Sequence, residues 1–132
     1  MLHDPWVVAR IRHDDREPGY IEHPALTYTA AFIGEEAVGV FMAIQHSPWE
    51  VEVHAALKRK ATHYARELGC MFLDRLWQRP ELMRITAPVL STLPSAVNYC
   101  KRLGFEVEGV KRRAVKVNGV PADVIYLGLL RQ

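Results

Sequence analysis

Residues 50 to 76 read EVEVHAALKRKATHYARELGCMFLDRL, and this stretch decides the fold. Its first part alternates polar with apolar residues, which predicts a β-strand with two different faces over Glu50–Ala55. The polar side carries Glu50, Glu52 and His54, and the apolar side carries Val51, Val53 and Ala55. From Lys60 to Leu76 apolar residues recur at helical spacing, which predicts a long amphipathic helix. A strand that leads into such a helix is typical of α/β sheets.

Further strands are predicted on both sides of this unit. The run Thr27–Ile33 is β-branched and aromatic, and Val38–Ile44 is apolar, so the two predict a hairpin around Gly34. An N-terminal helix is predicted to begin at Asp4, and a further strand covers Arg84–Val89. A second helix is predicted over Leu93–Leu103, with Ala96, Cys100 and Leu103 buried along one side. The last two strands, Phe105–Val117 and Val120–Leu130, form a hairpin around Asn118-Gly119. This order predicts one domain over residues 1–132, a mixed α/β sheet with flanking helices. The last strand, Val120–Leu130, suits pairing across a homodimer.

The composition is that of a globular protein, with 49% hydrophobic and 24% charged residues. It excludes a disordered tail, a collagen-like chain and a disulfide scaffold. The only cysteines are Cys70 and Cys100, and neither a signal peptide nor an apolar run of membrane-spanning length is present. These features predict reduced thiols, a cytoplasmic location and no membrane contact. The six histidines lack the spacing of metal ligands, so we expect no metal.

The net charge of +2 hides a division between the two halves of the chain. Up to Ala56 there are 3 basic and 9 acidic residues, and from Leu57 onward 14 basic and 6 acidic. Three of the later cations, Lys58-Arg59-Lys60, stand where the strand passes into the helix. Free amides at a helix start and the C-terminal end of a strand in an open sheet both favour anion binding. The alternative is a solvated charge run.

Motifs in the C-terminal part follow one another in a fixed order. They are AVNYCKRLGF at residues 96–105, Glu108-Gly109, Arg112-Arg113, Asn118-Gly119, Asp123 and Tyr126-Leu127. From Glu50 to Leu130 the chain resembles a GNAT-type N-acetyltransferase, and its ending is similar to the ribosomal-protein N-acetyltransferase branch. With its short N-terminus, the whole chain is similar to small bacteriophage-encoded members of the superfamily. The resemblance implies the GNAT fold with a shortened N-terminus.

The same resemblance implies acetyl-coenzyme A as the donor and a primary amine as the acceptor, with direct transfer in a ternary complex. In the family, the strand before the long helix separates from its neighbour and its backbone pairs with the pantetheine arm. That role maps onto Val53, Ala55 and Leu57. The pyrophosphate loop maps onto Lys58, Arg59, Lys60, Ala61, Thr62 and His63, where neither glycine of the family loop is present. Asn98 is a further candidate for a pantetheine contact, or an ordinary exposed helical residue.

The family's general acid is a Tyr in the second helix, and its position is occupied by Cys100, with Tyr99 one residue earlier. A thiolate leaving group whose thiol has a pKa of about 8.5 needs little help from an acid at neutral pH. Loss of the Tyr is therefore expected to slow catalysis without abolishing it. The alternative for Cys100 is a small residue that fills the core.

An acetylated amine must lose a proton, and the candidate acceptors are Glu52 and His54, which share one face of the cofactor strand. The alternatives are an ion-paired carboxylate and an imidazole bonded within the core. Asp14 and Asp15 are outside candidates for an acceptor pocket, or a solvated pair at a helix end.

Two other classes of function compete with the enzyme. The missing loop glycines and the missing Tyr favour a protein with the GNAT fold but without catalytic activity, which would act as a binding module or as a virion-associated protein. Nucleic-acid binding is disfavoured because the basic residues are spread over several elements and few aromatics lie among them. The sequence leaves the acceptor open between a protein N-terminus, a lysine, a small polyamine and an aminoglycoside.

Overall fold

The structure, a computed structural model, describes residues 25–132. The predicted N-terminal helix, Asp14 and Asp15 lie outside these residues. The strands are β1 (Leu26–Ile33), β2 (Glu36–Ser47), β3 (Glu50–Leu57), β4 (Arg84–Leu90), β5 (Glu106–Val117) and β6 (Val120–Leu130). The helices are a 3-10 helix over Arg59–Tyr64, α1 (Ala65–Trp77) and α2 (Pro94–Arg102). Within the described part of the chain, every predicted strand and helix is present.

The six strands form one mixed sheet in the order β1-β2-β3-β4-β6-β5. Strands β3 and β4 run parallel, and the other neighbouring pairs are antiparallel. The predicted α/β sheet with flanking helices is therefore confirmed. Strand β6 lies between β4 and β5, with β4 paired to it over Val124–Leu130 and β5 over Val120–Gly128. Pairing of this strand across a homodimer stays a prediction, and the inner position of β6 does not favour it.

The two parallel strands stay together for only a short distance. Their register pairs are Glu50 with Arg84, Val51 with Ile85, and Glu52 with Thr86. On its other edge β3 remains paired with β2 as far as Leu57. A gap therefore opens between β3 and β4 beyond Glu52, at the C-terminal ends of both strands.

The helices cover one face of the sheet, which we call the helix face. Phe41 of β2 stacks on Phe72 of α1 with ring centroids 4.7 Å apart. Val51, Ile85 and Leu127 point to the same face and are fully buried in one core with both helices. Because side chains alternate along a strand, Glu50, Glu52 and His54 project from the opposite face.

The long helix begins differently from the prediction. We expected an α-helix from Lys60, but the first turns, Arg59–Tyr64, are a 3-10 helix. The Lys58 amide donates to the Val38 carbonyl at 2.7 Å, and Ala61 is fully buried. These two anchors fix the chain where it leaves β3, and the tighter 3-10 geometry bridges from there to α1.

The buried side of α2 is also different from the prediction. Val97 is buried, whereas the predicted row is only partly buried: Ala96, Cys100 and Leu103. Side chains of α2 also reach α1 at Gly69, where an added Cβ would lie 2.3 Å from the Tyr99 hydroxyl. That hydroxyl donates to the Ala65 carbonyl at 2.6 Å. The helix is thus turned toward α1 as well as toward the sheet.

Candidate functional site

A shallow pocket lies on the opposite face, beside the point where β3 and β4 separate. Its volume is about 420 Å³. Besides Tyr126 of β6, it is lined by charged and polar side chains from four strands: His46, Glu50, Glu52, Arg84, Thr86 and Glu108. Three carboxylates face a single guanidinium there, so the pocket is negative when its imidazole is neutral.

Glu52 is held between two histidines. His54 Nε2 lies 2.6 Å from one carboxylate oxygen, and His46 Nε2 lies 2.9 Å from the other. The hydrogen bond from His54, with that from His46, lowers the pKa of the Glu52 carboxyl to about 2, against the opposing effect of burial. Glu52 is therefore a carboxylate over the whole physiological range. Glu52 and His54, the two alternative proton acceptors predicted from the sequence, are thus in direct contact, and their role stays a prediction.

A second network fills the other side of the pocket. The Thr86 hydroxyl donates to Glu50 at 2.7 Å, and the Arg84 guanidinium donates to Thr86 at 3.2 Å. Arg84 also donates to Glu108, which comes from the neighbouring β5–β6 hairpin. One guanidinium thus bridges two carboxylates, and these side chains hold one another in place across three strands.

The residues predicted to bind pantetheine lie along the gap between β3 and β4. The side chains of Val53 and Leu57 pack against the core of the helix face, and Ala55 is exposed. Their backbone edge faces the gap, because the pairing of β3 with β4 has ended at Glu52. An extended chain of donors and acceptors could add to this edge as a further strand does.

The predicted pyrophosphate loop follows directly at the end of the gap. Ala61 is fully buried, while Arg59, Thr62 and His63 are exposed and Lys58 is partly exposed. Lys60 is paired with Glu36, and this pairing lowers the pKa of the Glu36 carboxyl. The charge of Lys58 also lowers the pKa of Glu36, so among the described residues Arg59 is the cation of the loop that forms no ion pair.

Cys100 lies on α2 and packs against the core. Burial raises the pKa of its thiol to about 11, so Cys100 stays protonated at neutral pH. Burial also raises the pKa of the neighbouring Tyr99, whose hydroxyl is bonded to α1. Asn98, the other α2 candidate, is exposed.

Several pocket residues were not predicted from the sequence. His46 stands at the end of β2, and Arg84 and Thr86 stand on β4, where no motif marks them. Glu108 and Tyr126 belong to the C-terminal motifs, but no role was assigned to either. The usable signal was the parallel register of β3 and β4, which sets Thr86 beside Glu52.

Residues 25–132 contain neither a metal-binding cluster nor a membrane-spanning helix. No group of three or more His, Cys, Asp or Glu side chains in this part could hold a metal ion. None of the helices in the same range has the length and apolar character needed to cross a bilayer.

Comparisons with known proteins agree with this architecture. A family model described as an acetyltransferase (GNAT) domain matches residues 25–126. A search of curated protein sequences found no significant match.

Solved structures with the same fold include spermidine N-acetyltransferase from Vibrio cholerae in complex with CoA and spermine, at 21% identity and a TM-score of 0.74, covering 81% of this chain and 66% of that one. Another is smu.2055 from Streptococcus mutans UA159, at 22% identity and a TM-score of 0.70, covering 81% of this chain and 71% of the other. At this identity the likeness is evidence for the fold. This chain spans about two thirds of the length of these relatives.

Proposed function

The chain belongs to the GNAT acetyltransferases, which use acetyl-coenzyme A as their acetyl donor, and we propose that it transfers the acetyl group to a primary amine by direct transfer in a ternary complex. The observation that carries this proposal is the gap between β3 and β4, which opens at Glu52 directly beside the charged pocket. Donor and acceptor would then meet where the two strands separate. Holding both reactants in one site supplies the proximity that acyl transfer needs.

The donor would lie in the gap. In this proposal the backbone of Val53, Ala55 and Leu57 pairs with the pantetheine arm, and Asn98 approaches it from α2. The 3-10 helix and the loop before it would receive the pyrophosphate: Lys58, Arg59, Lys60, Ala61, Thr62 and His63. Ala61 is fully buried and its amide donates to the Lys58 carbonyl at 2.9 Å, so in this proposal it anchors the loop, and the exposed residues on either side of it would meet the phosphates.

The acceptor would lie in the pocket on the opposite face. Its three carboxylates and one guanidinium give it a negative charge that attracts a cationic amine. The Vibrio cholerae relative was crystallised with spermine, a polycationic amine. We therefore propose an acceptor with more than one cationic group, such as a polyamine, in preference to a protein N-terminus.

Proton transfer would involve the Glu52–His54 pair, which accepts the proton that the amine gives up. Cys100 has two candidate roles, the donation of a proton to the leaving thiolate and packing against α1. A Cys100→Ala variant separates them, since it removes the S–H with little change in volume. Donation predicts a lower kcat at an unchanged Kd for acetyl-coenzyme A, whereas packing alone predicts only a lower Tm.

Ligand-induced stabilisation tests the proposed function. Acetyl-coenzyme A at 100 times its Kd should stabilise the fold by about 2.7 kcal/mol, a rise in Tm of several degrees. Thiol release should follow when spermidine, a diamine or a lysine peptide is added, fastest with the polyamine. A Lys58→Ala, Arg59→Ala double variant is the matched control and should lose most of the shift. An unchanged Tm of the wild type at saturating donor would contradict the proposal.

A second candidate is a catalytically idle GNAT module, cytoplasmic or virion-associated. It is favoured by the absence of both loop glycines and of the family's Tyr. This candidate predicts a thermal shift with acetyl-coenzyme A but no thiol release with any amine of the panel. We also propose a homodimer as one assembly of the chain, and the mass of the same samples in solution tests it.

A further inference from the structure

The carboxylate of Glu52 contacts two imidazoles that come from different strands. His54 stands on β3 two residues beyond Glu52, and His46 stands near the end of β2. Each imidazole approaches through Nε2, His54 to one oxygen at 2.6 Å and His46 to the other at 2.9 Å. Both oxygens of a single carboxylate are thus occupied by ring nitrogens.

This contact determines which nitrogen of each ring carries the proton. An ionised carboxylate only accepts hydrogen bonds, and the pKa of Glu52, about 2, keeps it ionised. Each Nε2 must therefore be the donor. In a neutral imidazole the second nitrogen, Nδ1, then holds the free lone pair. Glu52 has no comparable capacity left, because both of its oxygens are engaged and its basicity is low.

We propose that Nδ1 of His54 is the atom that takes the proton from the acceptor amine, with Glu52 and His46 as positioning residues. This inference rests on the acetyltransferase activity proposed above. His54 is favoured over His46 because it stands on β3 just beyond the last pair with β4, where the gap opens. His46 lines the pocket itself, whereas His54 adjoins it through Glu52 on the side of the gap, with 36% of its side chain exposed.

His46 contributes by fixing the plane of the carboxylate. The last torsion of a Glu side chain is broad, so one hydrogen bond leaves the carboxylate free to rotate. A second hydrogen bond to the other oxygen removes that freedom, and the Glu52 oxygen then holds the ring of His54 in one orientation. The pair of histidines thus makes one carboxylate a rigid support.

The step balances as follows. The acceptor ammonium gives one proton to Nδ1 of His54, and the neutral amine attacks the thioester carbon. The new C–N bond forms, the C–S bond breaks, and the second proton of the nitrogen leaves as the thiolate becomes the thiol of coenzyme A. The imidazolium returns its proton to solvent, so the products are the acetylated amine, coenzyme A and one proton.

The first test reads the tautomers directly in the full chain. Histidine labelled with 15N gives ring nitrogen shifts that distinguish protonated from unprotonated nitrogens. At a pH where the rings are neutral, His46 and His54 should both carry the proton on Nε2. In Glu52→Ala the two rings should lose this preference. A proton on Nδ1 of His54 in the wild type would overturn the proposal, and this measurement does not depend on activity.

The second test compares rates among variants. His54→Gln should lower kcat by about 100-fold or more, the range of a lost general base. Glu52→Gln keeps an oxygen that accepts from Nε2 of His54, so its kcat should fall much less. His46→Ala should lose activity with an unchanged KM for acetyl-coenzyme A, and His46→Gln, which retains an N–H donor, should recover part of it.

The two failures are distinguishable. If Glu52→Gln falls as far as His54→Gln while the wild type is active, Glu52 is the base and the inference is wrong. If the wild type itself releases no thiol with any amine, the proposed function fails. The tautomers of His46 and His54 then still show whether Glu52 holds both rings through Nε2. Glu67→Gln on the exposed side of α1 is the matched control and should keep wild-type kinetics.

Discussion

The two faces of the central sheet are stabilised by different forces, although adjacent residues of the same strands supply them. On the helix face Val51 and Ile85 are fully buried among apolar side chains. On the opposite face Glu52 and Thr86, the very next residues, are held by hydrogen bonds to His54 and Glu50. The stabilisation by apolar burial on the helix face does not depend on pH and has no strict directional requirement. The stabilisation by hydrogen bonds on the opposite face depends on ionisation and on the distances between the bonded atoms. Stability and chemistry are thus assigned to alternate positions of one strand.

The largest expected effect is on the helix face. Ile85→Ala removes a fully buried side chain and should lower the free energy of unfolding by about 2 to 5 kcal/mol. Thr86→Val, one residue further, keeps the volume and loses a hydrogen bond to Glu50, a change worth about 1 kcal/mol. Urea denaturation of both variants measures the difference. Equal losses from the two would mean that the faces do not differ as described.

A smaller effect is expected on the opposite face, and only above acidic pH. The pKa of Glu52 is lowered from 4.5 to about 2 in the folded state, so its ionised form adds stability above pH 4.5. That stability is lost as the pH falls from 4.5 through 2.

Glu52→Gln should therefore be less stable than the wild type at pH 6 by about 1 kcal/mol, after allowance for the partial exposure of the group. The difference should shrink toward pH 2, as followed by urea denaturation at pH 6, 4 and 2.5. Glu67→Gln serves as the control on an exposed helix surface. A difference independent of pH would rule out the ionised carboxylate as its source.

The smallest effect concerns the exposed charges where β3 ends. Glu36 pairs with Lys60 in the loop assigned to the pyrophosphate. Glu36→Gln frees that cation and should tighten acetyl-coenzyme A binding about 3-fold, since an exposed ion pair is weak and screened by solvent. Calorimetry at low and high salt should show the gain disappearing as salt rises. Tighter binding that persists in high salt would contradict this origin.

Much of the fold could be predicted because local patterns determined it. The alternation over Glu50–Ala55 fixed both faces of β3, and Asn118-Gly119 fixed the last hairpin, where both residues adopt positive φ. The start of the long helix was not predictable from propensity, because the anchor that makes it a 3-10 helix is a hydrogen bond to Val38, 20 residues earlier.

The candidate site was predictable only in part. The contact of Glu52 with His54 follows from their spacing on one strand, and both were predicted. His46, Arg84 and Glu108 reach the pocket from three other strands, so their convergence depends on register and strand order. No local pattern carries that information. Of the predicted buried row of α2, Cys100 and Leu103 pack against the core, whereas the buried Val97 was not predicted.

The short parallel pairing of β3 with β4 has a mechanical consequence. The six strands amount to two three-stranded ribbons, β1-β2-β3 and β4-β6-β5, joined through three register pairs and the helices that span them. A substrate that forms main-chain hydrogen bonds in the gap would connect the two ribbons where the pairing of β3 with β4 has ended. The loaded protein would then be stiffer than the empty one, and backbone amides along Val53–Leu57 would exchange their hydrogens more slowly once the donor is in place. In that case the sheet would become more rigid each time the donor binds and more flexible each time coenzyme A leaves.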